Sequence, residues 1–277
     1  MIPNIELSSG TLIPQLGLGT YKMVDGTTEI VMSAIDVGYR HIDTAQMYGN
    51  EAEIGKAVAQ SGVARDELFL TSKLNNPNHK RDDAKRSFEQ TLKDLQTDYV
   101  DLFLIHWPLP MLYDGRFDLT WSVLEEFYEE GTARAIGVSN FEPHHLDLIL
   151  ASGNVKPAVN QVESQPFMHN TAVHVYDGRH GIATEAWSPL ARGAVNHDAV
   201  LAGIGAAHGK TATQVAIRWA LQRGDIVIPK ASTAERQKEN LDVFDFELSD
   251  EEIAAIITLD RGEAGRTGIH PDKMDRM

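Results

Sequence analysis

The sequence predicts an α/β protein: a (β/α)8 TIM barrel with an N-terminal β-hairpin and an extra C-terminal helix and tail. Three observations carry that reading. Short apolar runs alternate with amphipathic segments eight times between residues 16 and 241. Several runs, such as Leu102-Phe103-Leu104-Ile105 and Ala135-Ile136-Gly137-Val138, are apolar along most of their length, as parallel strands buried on both faces are. Eight strand–helix units in about 250 residues fit a barrel better than a six-stranded doubly wound sheet.

In order, residues 4–7 and 11–14 flank Ser8-Ser9-Gly10, whose turn chemistry makes them a hairpin. Strands are expected near 16–19, 41–43, 68–72, 100–105, 134–138, 158–162, 182–186 and 226–228. Helices are expected at 29–37, 51–60, 80–95, 118–130, 142–151, 170–180, 211–222 and 233–241. Residues 249–259 form a further helix, with Ser249 and Glu252 spaced as a capping box. Residues 260–277, rich in Gly, Pro, Asp and Arg, read as a tail that either folds over the carboxyl face of the barrel or frays. No stretch resembles a linker, so residues 1–277 are expected to form one barrel domain.

Composition narrows the function. A net charge of −15 argues against nucleic acid or an anionic membrane as partner, and any anionic ligand needs a local basic pocket. The chain has no cysteine, which excludes disulfides, thiol catalysis and thiolate metal sites. Met1-Ile2-Pro3-Asn4-Ile5-Glu6-Leu7 lacks the basic and apolar regions of a signal peptide, and no apolar run approaches the ~20 residues that span a bilayer. A cytoplasmic protein is expected.

Ionisable residues then stand out at one end of the barrel. Asp43 closes the second strand, Lys73 the third and His106 the fourth, and Tyr48 lies on the loop after Asp43. In a TIM barrel the carboxyl ends of the strands carry the chemistry. Singly, each has a bland reading as a solvated strand end; together, on consecutive strands, they form a constellation. Gly17-Leu-Gly19 is followed by Lys22 where a dinucleotide fingerprint has its third glycine, so that motif is absent. His144, His145, His169, His174 and His180 lie in or beside helices without an evident ligand geometry, and no metal is expected.

The chain resembles the aldo-keto reductases over essentially its whole length. The resemblance is carried by Gly38-Tyr-Arg-His-Ile-Asp43-Thr-Ala with Tyr48-Gly-Asn-Glu51, by Thr71-Ser-Lys73-Leu and by Asp101-Leu-Phe-Leu-Ile-His106-Trp-Pro. It continues in Ile136-Gly-Val-Ser-Asn-Phe141, Pro157-Ala-Val-Asn-Gln-Val-Glu163, Ala186-Trp-Ser-Pro-Leu190 and Ile228-Pro-Lys230 with Arg236, Glu239 and Asn240. Among the branches of the family, the bacterial 2,5-diketo-D-gluconate reductases are the most similar. The resemblance implies a monomeric NADPH-dependent reductase of small carbonyl compounds, such as dicarbonyls or keto-sugars. A nicotinamide-binding sensor that has lost turnover is the alternative, although Asp43, Tyr48, Lys73 and His106 are all present. A Schiff-base role for Lys73 in another barrel enzyme is a third reading.

By the same resemblance, Tyr48 is the proton donor, Lys73 and Asp43 tune it, and His106 orients the carbonyl. A free tyrosine has a pKa of about 10, so acting near neutrality asks for about three units of depression, roughly 4 kcal/mol, which one ammonium ~4 Å away supplies at an effective dielectric near 20. Ser139, Asn140 and Gln161 are expected to hold the nicotinamide carboxamide, Trp187 to stack on its ring, and Ser188 and Leu190 to begin the pyrophosphate loop. Ile228, Lys230, Ser232, Arg236, Glu239 and Asn240 complete the cofactor site, with Lys230 and Arg236 at a helix start favouring a 2′-phosphate. Tyr21, Met47 and Trp107 fall where the family builds its substrate wall. Two departures stand out: Ala231 replaces the serine usual after the lysine, which weakens the preference for NADPH, and Asn75 replaces a tryptophan frequent two residues after Lys73, which implies a wider or more polar pocket.

Overall fold

The computed structural model describes residues 2–277; Met1, part of the start read above for a leader, lies outside them. The first two strands, β1 (Asn4–Glu6) and β2 (Leu12–Pro14), pair antiparallel with Ile5 opposite Ile13. Gly10 supplies the left-handed φ of 81° that the turn between them requires. This hairpin plugs the amino end of the barrel. Leu7 and Ile13 pack there against Phe69, Leu102, Leu104, Ala135, Val159 and Ile226.

Eight parallel strands follow: β3 (Leu18–Gly19), β4 (His41–Asp43), β5 (Phe69–Leu74), β6 (Leu102–Ile105), β7 (Ile136–Ser139), β8 (Val159–Glu163), β9 (Ala183–Trp187) and β10 (Ile226–Val227). Each pairs with the next in chain order, and a parallel bridge between Leu16 and Val227 joins the last to the first. Gly137 is required inside this wall, because a Cβ there would sit 2.5 Å from the Val159 carbonyl oxygen.

The helices α1 (Thr27–Val37), α2 (Glu51–Gln60), α3 (Arg81–Asp94), α4 (Phe117–Glu129), α5 (Pro143–Ser152), α6 (Thr171–His180), α7 (Ala199–His208), α8 (Ala212–Gln222), α9 (Ala234–Leu241) and α10 (Asp250–Ile257) complete the regular structure. Among the described residues no helix is long and apolar enough to cross a membrane. Between helices and sheet lies a second core in which Phe88, Phe103 and Phe127 stack at centroid separations of 4.2 to 6.1 Å.

The fold class is as expected, with one helix more than the sequence reading placed. That helix is α7, which falls in the stretch read as a loop between the seventh strand and the following helix. Asp198 caps it by accepting from the Val200 and Leu201 amides, and Gly209 ends it in a left-handed turn. Its run of Ala and Gly presents no clear apolar stripe, which is why periodicity misses it.

The tail folds over the mouth. Glu163, at the end of β8, accepts hydrogen bonds from Thr267 N (2.6 Å), Thr267 Oγ1 (2.7 Å) and Gly268 N (2.9 Å). Gln165 donates to the Gly265 carbonyl at 2.9 Å, and Asn76 donates to the Arg276 carbonyl at 2.7 Å. Met274 is buried against Trp107 and Leu109. Gln165 is thus a fastening of the tail.

Candidate active site

The loop after β4 carries Tyr48 back over the strand ends because residues 46–48 form a 3-10 turn closed by Gly49 at φ 66°. Asn50 holds this loop to its neighbours, donating to the Thr20 and Met23 carbonyls while accepting from Thr44 Oγ1. Lys73 is fully enclosed inside β5. Its ammonium donates to Asp43 Oδ1 at 2.7 Å, Asp43 Oδ2 at 2.8 Å, the Thr44 carbonyl at 2.9 Å and the Tyr48 oxygen at 3.4 Å. Burial alone would discharge this lysine, but Asp43 and Tyr48 outweigh it and keep the ammonium charged. A charged amine with its donors committed is a poor Schiff-base nucleophile, which argues against the third reading of the sequence.

Because Lys73 donates to the Tyr48 oxygen, the Tyr48 hydroxyl proton is free to point elsewhere. His106 follows β6 and is buried, with its ring 5.7 Å from that of Tyr48 and at 72° to it. Burial, reinforced by Lys73, holds its pKa well below the ordinary histidine value, so the imidazole is neutral. Its Nδ1 has no hydrogen-bond partner among the described residues. The structure therefore brings Asp43, Tyr48, Lys73 and His106 together.

The acidity of Tyr48 is not as expected. Enclosure of the hydroxyl pushes its pKa up to about 12, against the opposing pull of Lys73. The sequence argument counted the ammonium alone. In the fold, Asp43 sits on that ammonium and cancels much of its field, and the cost of burying a phenolate prevails.

The nicotinamide-binding candidates of β7, β8 and β9 form one hydrogen-bonded set. Ser139 Oγ donates to the Gln161 carbonyl at 2.9 Å, and Asn140 Nδ2 donates to Ser139 Oγ at 3.1 Å and to the His106 carbonyl at 2.9 Å. Asn140, held at φ 63°, accepts from the Trp187 indole at 2.9 Å. Gln161 Nε2 donates 2.7 Å bonds to Asp43 Oδ2 and Glu185 Oε2, so its orientation is fixed. Its Oε1 is left to accept, and a carboxamide N–H fits that acceptor. Trp187 is backed by the tail: a Cβ at Gly268 would meet its ring at 2.6 Å. Ser188, at φ 54°, turns the chain toward the partly buried Leu190, and Ile228 is buried beside the close approach of Gly19.

Around α9, Lys230, Ser232 and Arg236 are exposed, and Thr233 caps the helix. Lys230 donates to the Lys22 carbonyl at 2.8 Å, and burial together with the Lys22 cation lowers its pKa. Two cations drawn together in this way fit an anion. Ala231 is buried, which leaves Ser232 as the exposed hydroxyl beside the lysine. Glu239 accepts from Thr211 Oγ1 at 2.8 Å, and Asn240 is buried near Tyr39. Neither side chain turns toward Lys230 in this arrangement.

At the rim, Tyr21 is 52% and Met47 42% exposed, and Tyr21 lies 5.0 Å from the Tyr48 ring. Trp107, by contrast, is packed beneath Met274. Asn75 bends back to accept from the Asn76 amide and forms no wall. His144 Nε2 and His145 Nε2 approach Asp272 Oδ1 at 3.0 and 3.1 Å, a convergence that the sequence did not reveal. His145 Nδ1, however, accepts the Glu142 backbone N–H, so its Nε2 carries the proton. That proton leaves no lone pair on Nε2 for a metal. The cluster fastens the tail to α5.

The sequence reading missed three groups here: the Thr44 carbonyl, Lys22 and Glu185. Only Glu185 carried a signal, as an acid in the middle of an apolar strand.

The Aldo/keto reductase family model matches residues 15–261. A glyoxal reductase of Bacillus subtilis is 44% identical over 272 residues, covering 98% of this chain and 96% of its own. A crystal structure of a Bombyx mori aldo-keto reductase in complex with NADP superimposes with a TM-score of 0.87 at 34% identity, covering 94% of this chain and 93% of that one. A putative 2,5-diketo-D-gluconic acid reductase B superimposes with a TM-score of 0.93 at 37% identity, covering 100% and 98%.

Proposed function

The chain belongs to the aldo/keto reductase family, an oxidoreductase that acts on carbonyl compounds with a nicotinamide cofactor, and from that premise we propose that it is an NADPH-dependent reductase of small polar carbonyls. The observation that carries the reading is Lys73, whose buried ammonium donates at once to Asp43 and to the Tyr48 oxygen. That bond aims the Tyr48 proton away from the lysine and toward the mouth.

The bound cofactor supplies a hydride to the carbonyl carbon. What the chain supplies is a place for the charge that appears on oxygen. Neutral His106 donates a hydrogen bond to that oxygen, and Tyr48 gives it a proton. A pKa of about 12 suits this step, because the phenol is protonated at neutral pH and an alkoxide is nearly as basic as hydroxide, whose conjugate acid lies at about 15.7. The transfer is therefore downhill without a strongly acidic tyrosine. The phenolate left behind is stabilised by Lys73 and recovers its proton from water.

Ser139, Asn140 and the free Oε1 of Gln161 suit the carboxamide, and Trp187 suits the ring. Ser188 and Leu190 suit the pyrophosphate. Lys230, with Lys22, Ser232 and Arg236, suits a 2′-phosphate and so NADPH over NADH; Ile228 lies beside it, while Glu239 and Asn240, which bond and pack away from Lys230, are left out of the site. The rim formed by Tyr21 and Met47 is open where Asn75 folds away, and Gln46, Asn75 and Asn78 form a polar cluster beneath it. An open, polar mouth suits small dicarbonyls or keto-sugars. The similarity to a glyoxal reductase and to a putative 2,5-diketo-D-gluconic acid reductase points the same way.

The test is NADPH oxidation with methylglyoxal, phenylglyoxal, a sugar aldehyde and 2,5-diketogluconate, with NADH run in parallel. Turnover that favours NADPH supports the reading. Tyr48→Phe should abolish turnover while leaving the NADPH dissociation constant within about twofold. Undiminished turnover in that variant would refute Tyr48 as proton donor, and tight NADPH binding without turnover on any carbonyl would refute the reductase reading.

A further inference from the structure

Glu185 occupies a position where neither the barrel nor the Asp43–Lys73–Tyr48 group needs a second acid. It is wholly buried in the middle of β9, level with Gln161 on β8 and Ile226 on β10. Its Oε2 accepts from Gln161 Nε2, the same nitrogen that donates to Asp43. Its Oε1 has no hydrogen-bond partner among the described residues and faces His41 Nε2 at 3.6 Å.

The tautomer of His41 decides what that contact is. His41 Nδ1 lies 3.3 Å from the Pro14 carbonyl, which only accepts, so Nδ1 carries a proton. Burial, with Lys73, holds the His41 pKa near 3, so the ring is neutral and Nε2 presents a lone pair. That lone pair is 3.1 Å from the Thr71 hydroxyl. The Thr71 hydroxyl takes that lone pair, so His41 offers Glu185 no donor: a carboxylate oxygen at 3.6 Å would face only an electron-rich nitrogen, a cost that a neutral carboxyl avoids.

Resting on the reductase reading above, we propose that Glu185 is a positioning residue that works as a neutral acid. Its Oε1, which no donor reaches, carries the proton, and its Oε2 holds the Gln161 amide. That amide in turn fixes Asp43 under Lys73 and leaves Gln161 Oε1 facing the nicotinamide site. The ionisable groups around Glu185 are His41 and Asp43 on β4 and Lys73 on β5; β10 brings only Ile226 and Val227 alongside, and Asp177 bonds Thr184 on the other face of β9. Lys73 is spent on Asp43, so an ionised Glu185 has no counterion. Burial and Asp43 accordingly push its pKa up to about 8. Loss of the proton places two anions on one amide nitrogen. It loosens the hold on Asp43 and binds the Tyr48 proton more tightly.

The experiment compares the pH dependence of kcat/KM for methylglyoxal, at saturating NADPH, in the wild type and Glu185→Gln. Above a pKa of about 8 the wild type should fall, reaching about one-thirtieth of its plateau at pH 9.5. Tyr48 and Lys73 titrate too high to contribute there. The uncharged isostere, whatever its plateau, should lose less than about threefold of it between pH 7 and pH 9.5. An unchanged alkaline fall in the variant overturns the proposal.

Two further measurements are independent of turnover. The infrared difference spectrum, wild type minus Glu185→Gln, should show a protonated carboxyl band at pH 6.5 that fades by pH 9.5. NADPH affinity should weaken over the same range in the wild type only. Absence of the band overturns the proposal whatever the turnover. A wild type that shows both signals yet reduces no carbonyl refutes the reductase reading and leaves the role of Glu185 standing. Should the variant fail to fold, a wild type with no alkaline limb in kcat/KM or NADPH affinity overturns the proposal by itself.

Discussion

Replacing Lys73 with methionine tests whether the site is built as a charge pair or merely contains one. Methionine keeps the length of the side chain and removes the ammonium. At 2.7 Å and an effective dielectric near 20, the attraction between Lys73 and Asp43 is about 6 kcal/mol before desolvation is counted. Both groups are almost fully enclosed, so much of that attraction is offset by the loss of their hydration. The loss on substitution is governed by what remains: Asp43 as a buried carboxylate whose side-chain donor is Gln161. Leaving one partner of a buried pair costs about 3–5 kcal/mol. The assay is the urea midpoint of the wild type, Lys73→Met, Asp43→Asn and the double variant. The double variant should recover about 2 kcal/mol of the loss, because it carries no uncompensated charge. The pH dependence has a definite sign. Without Lys73, the folded-state pKa of Asp43 lies above its unfolded value, so the penalty is absent below about pH 4 and grows as pH rises through the folded pKa. Lys73→Met should therefore be worse off at pH 8 than at pH 5, with kcat down by a factor of about 10²–10⁴ at either pH. A deficit under about 1 kcal/mol at pH 8, or a double variant no better than the single, would refute the reasoning.

Two further predictions concern the ends of the cofactor cleft. Lys230→Met removes a charged donor from the proposed 2′-phosphate site; kcat/KM with NADPH should fall about ten- to a hundredfold while that with NADH moves less than about twofold, as steady-state kinetics with both cofactors will show. Equal losses with the two cofactors would place Lys230 elsewhere. Gly265→Ala puts a Cβ 1.8 Å from the Phe167 carbonyl oxygen, a backbone atom that cannot step aside cheaply. Overpacking of this kind costs about 1–3 kcal/mol, and it should appear as faster hydrogen exchange at the Thr267 and Gly268 amides held by Glu163, with the barrel strands unchanged.

Much of this was legible in the chain, for reasons particular to its residues. Parallel strands buried on both faces announce themselves as apolar runs, and Asp43, Lys73 and His106 stood out because each interrupts or ends one. The helix α7 did not stand out, since from Ala199 to Ala207 Val200, Leu201 and Ile204 lie among Ala and Gly with no polar face to set off a stripe. Its boundaries, Asp198 and Gly209, were the available signal. The tail could not be placed from composition, because what docks it is a set of single contacts: three donors on Glu163, one carbonyl on Gln165, and Met274 over Trp107.

The acidity of Tyr48 shows where sequence reasoning about an active site stops. Motif spacing places a lysine beside the tyrosine, and Coulomb's law then gives a depressed pKa. It does not give the enclosure of the hydroxyl, nor the carboxylate that neutralises the lysine, and those two reverse the sign. The reversal has a chemical consequence. With a pKa of about 12, about one Tyr48 in 10⁵ is ionised at pH 7, so the group is almost always a competent donor and almost never a competent base. Protonating an oxyanion uses the abundant form, whereas abstracting a proton from an alcohol needs the rare one. The high pKa thus keeps Tyr48 in the form that protonates an oxyanion, without the acidity that a lone Lys73 would have conferred.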